Sequence, residues 1–236
     1  MFSLTRTSAG GVNGRPTLVS NVETLAQLAL LARRGVDRYA AVGTADQPGT
    51  TLLTVHRDGR PAVTEVALGT PLGAVLDRSE VGPGLLVGGY HGSWVPAARF
   101  DEVTLSVRGL AAVGAGLGAG LLVPLPPGAC PLAEAAPVVR LMAEESAGQC
   151  GPCVHGLAAI ADRVEALAAS RTSPEQMALL ERYRRLVPGR GACGHPDGVV
   201  RFVGSLLAAF PTEVTMHQHR GCGRRGRGLL PLSVEP

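Results

Sequence analysis

The architecture of this chain is set by residues 131–167, whose sequence is PLAEAAPVVRLMAEESAGQCGPCVHGLAAIADRVEAL. Apolar side chains recur there every three or four residues, first over 132–142 and again over 154–167. This spacing predicts two amphipathic helices, because such residues share one face of an α-helix. The apolar positions are Leu132, Ala135, Val139, Met142, Val154, Leu157, Ile160, Val164 and Leu167. A pair of cysteines therefore lies in the link between two packed helices.

Two more helices are predicted downstream of this pair. Ser173 followed by Pro174 and Glu175 is typical of a helix start, and Asp197 is a candidate cap for the next helix. The apolar face of that last helix carries Val199, Phe202, Val203, Leu206 and Phe210. Four amphipathic helices with short links favour an antiparallel four-helix bundle over residues 130–215.

The chain before the bundle predicts a linker helix and a small mixed sheet. Ser20 and Glu23 have capping-box spacing, which predicts a helix over about 21–34 that ends at Gly35. Residues 48–125 alternate short apolar runs with glycine and proline, as strands and turns do. The predicted elements are strands Thr51–Val55, Ala62–Val66, Leu85–Val87 and Val103–Val107, a hairpin turn at Asp58-Gly59, and a short helix from Thr70-Pro71 to Leu76.

We therefore expect an α+β protein in four parts. They are an N-terminal segment with a linker helix (1–47), a β domain (48–125), a helical domain (130–215) and a basic flexible tail (216–236). Hydrophobic residues make up 45% and aromatic residues 3% of the chain, so the core must consist of alanine, valine and leucine.

Charge and hydropathy exclude several classes of function. The net charge of +3 comes from arginines of the tail, and no basic face with stacking aromatic residues is predicted, so we expect no nucleic-acid partner. No basic-then-apolar segment follows Met1, and the uncharged stretch between Arg108 and Glu134 is broken by many glycines and prolines. We therefore expect neither a secretory signal nor direct membrane insertion, and a cytoplasmic location with reduced thiols.

Three cysteines are placed to meet at one end of the bundle. Cys150 and Cys153 flank Gly151-Pro152 between the first two bundle helices, and Cys193 lies in a glycine-rich loop before the fourth. Two residues between cysteines allow two thiolates to face one metal site from a turn. This pattern predicts a metal or redox site rather than disulfides.

The same residues carry a family resemblance. Gly14–Thr24 resembles the segment Gly-x-Pro-Thr-x-x-x-Asn-Val-Glu-Thr, and Glu145–Cys153 resembles the segment Glu-Ser-Cys-Gly-x-Cys-x-Pro-Cys. Both segments occur in the F subunit of complex I, its NADH-binding flavoprotein, and in related hydrogenases and formate dehydrogenases. The resemblance extends over about residues 10–215. It implies that residues 48–125 form an SLBB-like β-grasp domain and that the helical domain binds iron and sulfur.

The resemblance also implies a 4Fe-4S cluster held by three cysteines of the motif and one distant cysteine. Cys150, Cys153 and Cys193 match the second, third and fourth ligands, but Ala147 stands at the first position. Another group completes the site, or an open-corner or 3Fe-4S cluster forms, or the site is empty. Candidates for the missing ligand are, in order, His195, His155 and Cys222, whereas Cys130 is interpreted as a buried or cap-region thiol.

The family places an FMN- and NADH-binding domain ahead of the Asn-Val-Glu-Thr segment. Asn21 matches a flavin-contacting position of the family, and we interpret it as a vestigial contact in an ordinary first helical turn. FMN and NADH are therefore expected only with a missing domain or a partner, so the chain should not oxidise NADH alone. The predicted function is an electron relay that works with a flavoprotein or other oxidoreductase subunit. The alternative is a non-catalytic scaffold subunit with an empty cluster site.

The same residues allow other interpretations. The Cys-x-x-Cys pair together with Cys193 and His195 could bind zinc. A thioredoxin-like active site is disfavoured, because the sequence does not predict the strand that should precede Cys150. Gly114–Ala119 has a weak dinucleotide-binding pattern that we interpret as loop packing. His217 and His219 are interpreted as the polar end of a helix rather than as metal ligands. Tyr90, His91 and Trp94 are predicted either to line a ligand surface or to pack in the core.

Overall fold

The computed structural model describes residues 7–57 and 60–230, which form a mixed α+β fold. The strands are β1 Thr50–Arg57, β2 Arg60–Ala67, β3 Gly84–Val87, β4 Ser93–Pro96 and β5 Leu121–Pro124. The helices are α1 Thr7–Gly10, α2 Val22–Arg34, α3 Val36–Ala40, α4 Val107–Ala112, α5 Pro131–Glu144, α6 Ala158–Ala168, α7 Pro174–Leu186, α8 His195–Ala209 and α9 Pro211–His219. A π-helical turn, Pro152–Leu157, leads into α6.

The strands form one five-stranded sheet in the order β2-β1-β5-β3-β4. Only the pairing of β1 with β5 is parallel, and the others are antiparallel. Thr51–Val55 and Ala62–Val66 are confirmed as a hairpin, although the predicted turn Asp58-Gly59 lies outside the described residues. Leu85–Val87 is also confirmed as a strand.

The sheet separates two hydrophobic cores, because successive side chains of a strand point to opposite faces. Leu86 and Val123 belong to the core shared with the helices α5 to α9. Leu85, Val87 and Leu122 belong to a second core, which is closed by the short turns and α4. The helices α5 to α9 therefore pack on one face of the sheet, and α4 packs on the other.

Trp94 joins the sheet to α8. It is 3% exposed, and its ring meets those of Phe202 and Phe210 edge-on at centroid distances of 5.5 and 5.7 Å. This geometry is favourable for aromatic pairs. Of the two roles predicted for Trp94, the structure shows core packing.

The helical part contains one helix more than the sequence predicted. Pro211 follows the buried Phe210 and opens α9, whose axis makes an angle of 86° with that of α8. Proline at a first helical position starts a new helix readily, since its missing N–H would have no partner there. The residues after α9 also pack: Leu229 and Leu230 are buried in the core shared with the helices. The expected flexible tail is therefore docked as far as residue 230.

Three predicted helix starts are shifted. The cap of α2 is Asn21, whose side chain accepts a hydrogen bond from the Glu23 N–H, rather than Ser20. The helix α8 begins at His195, before the predicted cap Asp197. The short helix predicted from Thr70 to Leu76 is a single 3₁₀ turn over Leu72–Ala74. At α2 the shift has a visible cause, because the Glu23 carboxylate accepts from the Leu52 N–H on β1.

Val103–Val107 was wrongly predicted as a strand. Only an isolated bridge joins Thr104 to Pro71, and α4 begins at Val107. The hydroxyl of Ser106 accepts a hydrogen bond from the Gly109 N–H and so caps this helix. A good cap residue overrides the strand propensity of the flanking valines.

No single helix in the described part of the chain has both the length and the apolar composition needed to cross a membrane. The bent pair α8 and α9 meets those criteria only when its two helices are counted together.

Candidate metal centre

The two cysteine loops lie against each other. Cys150 stands at the start of the helix that begins with the π-helical turn, and the backbone N–H groups of Ala192 and Cys153 lie beside its thiol and lower its pKa. Ala192 directly precedes Cys193 in the loop before α8. The contact therefore brings Cys193 to the side of the Cys-Gly-Pro-Cys turn.

The three thiols differ in their electrostatic surroundings. The backbone N–H groups of Ala192 and Cys153 lower the pKa of Cys150, because they stabilise its thiolate. Burial raises the pKa of Cys153, and the neighbouring thiols of Cys150 and Cys193 raise it further, against a hydrogen bond with the Ser146 hydroxyl. Three cysteines on adjoining loops are a ligand set that suits an iron–sulfur cluster, although among the described residues their sulfurs do not all lie within 4.8 Å of one another.

Hydrogen bonds of the His195 ring hold the Cys193 loop against α5. The Nε2 atom of His195 donates to the carbonyl oxygen of Met142 at 2.8 Å. The Nδ1 atom of the same ring lies 3.0 Å from Nε2 of His91. Burial lowers the pKa of His91, as do the adjacent His195 and Arg201, so the His91 ring is uncharged at pH 7. On the opposite side of the loop, Asp197 accepts from the Gly189 N–H at 2.9 Å.

An arginine clamps the two helices that flank the Cys150 loop. Arg140 on α5 reaches α6, where it lies 2.6 Å from Asp162 and 2.6 Å from Glu165. Its contact with Glu165 is bidentate, with a second hydrogen bond of 2.9 Å. Such planar pairs are geometrically specific, so they fix how α5 and α6 enter and leave the loop.

The other predicted site residues lie apart from the three cysteines or are engaged. Ala147 is exposed and offers no donor atom. Both ring nitrogens of His195 have partners, so as a fourth ligand it would have to give up one of these bonds. His155 is exposed on the π-helical turn, and Asn21 uses its side chain to cap α2.

A second group of possible ligands was not predicted from the sequence. The ligand atoms of Cys130, His217 and Cys222 all lie within 4.8 Å of one another. Cys130 is a buried cap-region thiol as predicted, and burial raises its pKa to about 11. The His-x₄-Cys spacing of His217 and Cys222 was the available signal, but nothing local links either residue to Cys130.

Comparison with known proteins finds an iron–sulfur binding region in this part of the chain. Residues 133–217 match the profile of the NADH-ubiquinone oxidoreductase-F iron-sulfur binding region. The mitochondrial NADH dehydrogenase [ubiquinone] flavoprotein 1 of Dictyostelium discoideum is 27% identical over 213 residues, which are 86% of this chain and 44% of that protein. The F subunit of the NADH-quinone oxidoreductase of Streptomyces coelicolor is 27% identical over 226 residues, 91% of this chain and 49% of that protein.

The chain is similar over most of its length to F subunits of NADH-quinone oxidoreductase. A solved structure of the NAD+-reducing NiFe hydrogenase in its H2-reduced state is also similar, with a TM-score of 0.77 and 26% sequence identity. The match covers 92% of the present chain and 37% of the hydrogenase chain. The chain spans about half the length of the curated proteins it matches. The matched iron-sulfur binding region contains Cys150, Cys153 and Cys193.

Proposed function

We propose that this chain is an electron-transfer module of an NADH dehydrogenase-like oxidoreductase, which accepts electrons from a flavin and relays them through an iron–sulfur centre. One observation supports the proposal above the others: the Ala192 N–H lies beside the Cys150 thiol and lowers its pKa, so the loops of Cys150 and Cys193 adjoin. The relatives with their 4Fe-4S binding region support the same role.

Cys150, Cys153 and Cys193 are the residues proposed to hold the cluster, which when bound supplies one-electron transfer. The N–H groups that point at Cys150 stabilise its thiolate, and the burial of Cys153 limits the access of water. Three thiols fit three corners of a cluster. The remaining position of the motif is Ala147, so we propose a 3Fe-4S cluster, or a 4Fe-4S cluster whose fourth ligand is not cysteine. His195 is the candidate for that ligand, and it must first give up one of its two ring bonds.

The domain boundaries belong to the same proposal. We assign residues 48–125 to an SLBB-like β-grasp domain and 130–215 to an iron–sulfur helical bundle, with 1–47 as the linker. The two faces of the sheet carry separate hydrophobic cores, which supports the assignment of the β-grasp domain. The contacts of α5 with α6 and α8 support that of the helical bundle.

The electron donor is proposed to be a flavin-bearing domain, supplied by a partner oxidoreductase subunit or by a segment joined to this chain. Apolar side chains of α2 support such a contact, because Val22 and Leu28 are 80% and 52% exposed. Asn21 lies next to this surface, at the position that resembles a flavin contact. A cytoplasmic location, where thiols stay reduced, completes the proposal.

Anaerobic purification tests this function. The protein should be brown, contain iron and acid-labile sulfide in similar amounts, and give an electron paramagnetic resonance signal in one of its redox states. Cys150→Ser should remove the colour and the iron. Cys222→Ser, a matched change outside the two loops, should keep both. A colourless, iron-free protein that folds after anaerobic reconstitution would overturn the relay.

Ala147 favours a second candidate, a scaffold subunit whose cluster site is empty or holds zinc as a structural ion. Under this alternative the sheet domain docks a partner and no electrons pass. Zinc at one equivalent without sulfide, lost on replacing Cys150, would select a structural zinc site at the cysteine loops.

A further inference from the structure

A second cluster of soft ligands lies outside the cysteine loops. The Nε2 atom of His217 is 3.4 Å from the sulfur of Cys130 and 3.1 Å from that of Cys222. Cys130 and His217 are 0% and 4% exposed, while Cys222 is half-buried at the edge. These residues come from the start of α5, from α9 and from the loop after it, so the fold itself brings them together.

The imidazole of His217 is held in the orientation of a metal ligand. Its Nδ1 atom lies 3.2 Å from the carbonyl oxygen of Leu167 and 3.3 Å from the hydroxyl of Ser170. A carbonyl only accepts, so Nδ1 carries a proton and Nε2 is the ring atom that faces both sulfurs and is available to a metal. Metal-binding histidines commonly have this outer hydrogen bond, which fixes their tautomer.

Polar groups near the two sulfurs offset the negative charge that metal-bound sulfur carries. The sulfur of Cys130 caps α5 and accepts from the Ala133 N–H at 3.4 Å, at the positive end of the helix dipole. Arg224 follows Cys222 and donates to the carbonyl oxygen of Ala129 at 3.2 Å, which places a guanidinium near the pair.

We propose that Cys130, His217 and Cys222 form a zinc site. The bound ion would fasten α9 and the segment after it, residues 220–230, to α5. Tetrahedral zinc with Zn–S of about 2.3 Å and Zn–N of about 2.0 Å separates sulfur from nitrogen by roughly 3.5 Å. The separations of 3.4 and 3.1 Å need little adjustment to reach it. One imidazole and two thiolates select zinc over harder cations. A water molecule that enters past Cys222 takes the fourth position.

Binding is balanced in charge and in protons. Each thiol loses its proton to solvent as its sulfur binds, so one Zn²⁺ enters and two protons leave. Two thiolates and a divalent ion sum to zero charge, which keeps the cost of burial low. Because the ligands lie on α5, α9 and the following loop, the bound ion adds its binding free energy to the docking of that segment.

Cobalt titration of the full chain tests the site. The starting protein carries Cys150→Ser, Cys153→Ser and Cys193→Ser, so that the proposed cluster site cannot take up metal, and is kept reduced. One equivalent of Co²⁺ should give thiolate-to-cobalt absorption, and Zn²⁺ should displace it. Adding Cys222→Ser removes a ligand and should weaken cobalt binding more than ~100-fold. Loss of an outer hydrogen bond alone costs ~10–100-fold. His219→Gln, on the same helix, should leave it unchanged.

Absence of thiolate-to-cobalt absorption, or absorption that persists in Cys222→Ser, would overturn the zinc site. A second measurement needs no change to the ligands: zinc should slow alkylation of Cys130 and Cys222 at least tenfold, and equal rates with and without zinc would also contradict the proposal. The site stands independently of the electron relay, because the relay is judged by iron and sulfide in the unmodified cysteine loops.

Discussion

His195 fastens the first turn of α8 to the last turn of α5, since its Nε2–H donates to the carbonyl oxygen of Met142 at 2.8 Å. Its other nitrogen faces His91, whose backbone carbonyl accepts from Arg201 at 3.1 Å. The ring therefore ties the Cys193 loop to both the sheet side and the helical side of the molecule. A positioning role for His195 follows directly from these bonds.

Replacing His195 separates positioning from ligation. His195→Ala should lower the free energy of unfolding by about 1–2 kcal/mol, the usual cost of lost hydrogen bonds, and leave the iron content unchanged if the cluster has only its three cysteine ligands. His195→Gln, which keeps a donor for Met142, should recover part of the loss. His155→Ala, at an exposed histidine of the π-helical turn, is the control. Urea unfolding and iron analysis give the answer, and iron loss at unchanged stability would make His195 a ligand instead.

Much of the helical architecture was predictable, because its signals are local. The caps and apolar faces of α5 and α7 are recognised from residues only three or four positions apart. Ser173 caps α7 as expected. Gly35 ends α2 with a positive φ of 80°, which glycine adopts without strain. These elements need no partner distant in the sequence to be recognised.

What escaped prediction depends on distant partners. Asn21 rather than Ser20 caps α2 because Glu23 is taken by Leu52 of β1, which is 29 residues away. Cys130 and His217 are 87 residues apart, and only the packing of α9 against α5 joins them. For the three loop cysteines the spacing identified the candidate site, but not the N–H donors from Ala192 and Cys153.

A cysteine at position 147 should complete the cluster. Ala147→Cys places a thiol at the first position of the motif, so the iron content after anaerobic reconstitution should rise to about four per chain and the colour should persist longer in air. Ala169→Cys adds an exposed thiol at the far end of α6 and should change neither. If both variants match the parent, the alignment of the motif is wrong.

Cys150 should be the more reactive thiol of the Cys-Gly-Pro-Cys turn in cluster-free protein. Its pKa lies below the ordinary value for a thiol and that of Cys153 above it, so at neutral pH Cys150 holds more thiolate. As pH rises, alkylation of Cys150 should accelerate first. Peptide mass spectrometry after timed iodoacetamide treatment reports both rates. Faster labelling of Cys153 at pH 7 would contradict the assigned hydrogen bonds.

Phe210 and Phe100 test the separation of the two cores. Trp94 is the only tryptophan of the chain and touches Phe210, whereas Phe100 lies in the core on the other face of the sheet. Phe210→Leu should shift the tryptophan emission, while Phe100→Leu should not. Each should cost about 1 kcal/mol, because the replaced volume is similar. Equal emission shifts in the two variants would show that the cores are not separate.

Glu134 should hold the segment after α9, residues 220–230, against α5. This carboxylate is 3% exposed on α5 and accepts hydrogen bonds from the backbone N–H groups of Arg227 and, at 2.8 Å, of Leu229. Glu134→Gln turns an amide NH₂ toward one of these donors, which should cost about 1.5–3 kcal/mol and release the segment. Trypsin should then cleave after Arg224 and Arg227 several times faster than in the parent. Glu144→Gln, at an exposed position near the other end of the helix, should leave cleavage unchanged. Unaltered cleavage in Glu134→Gln would mean that the buried leucines, rather than the carboxylate, hold the segment in place.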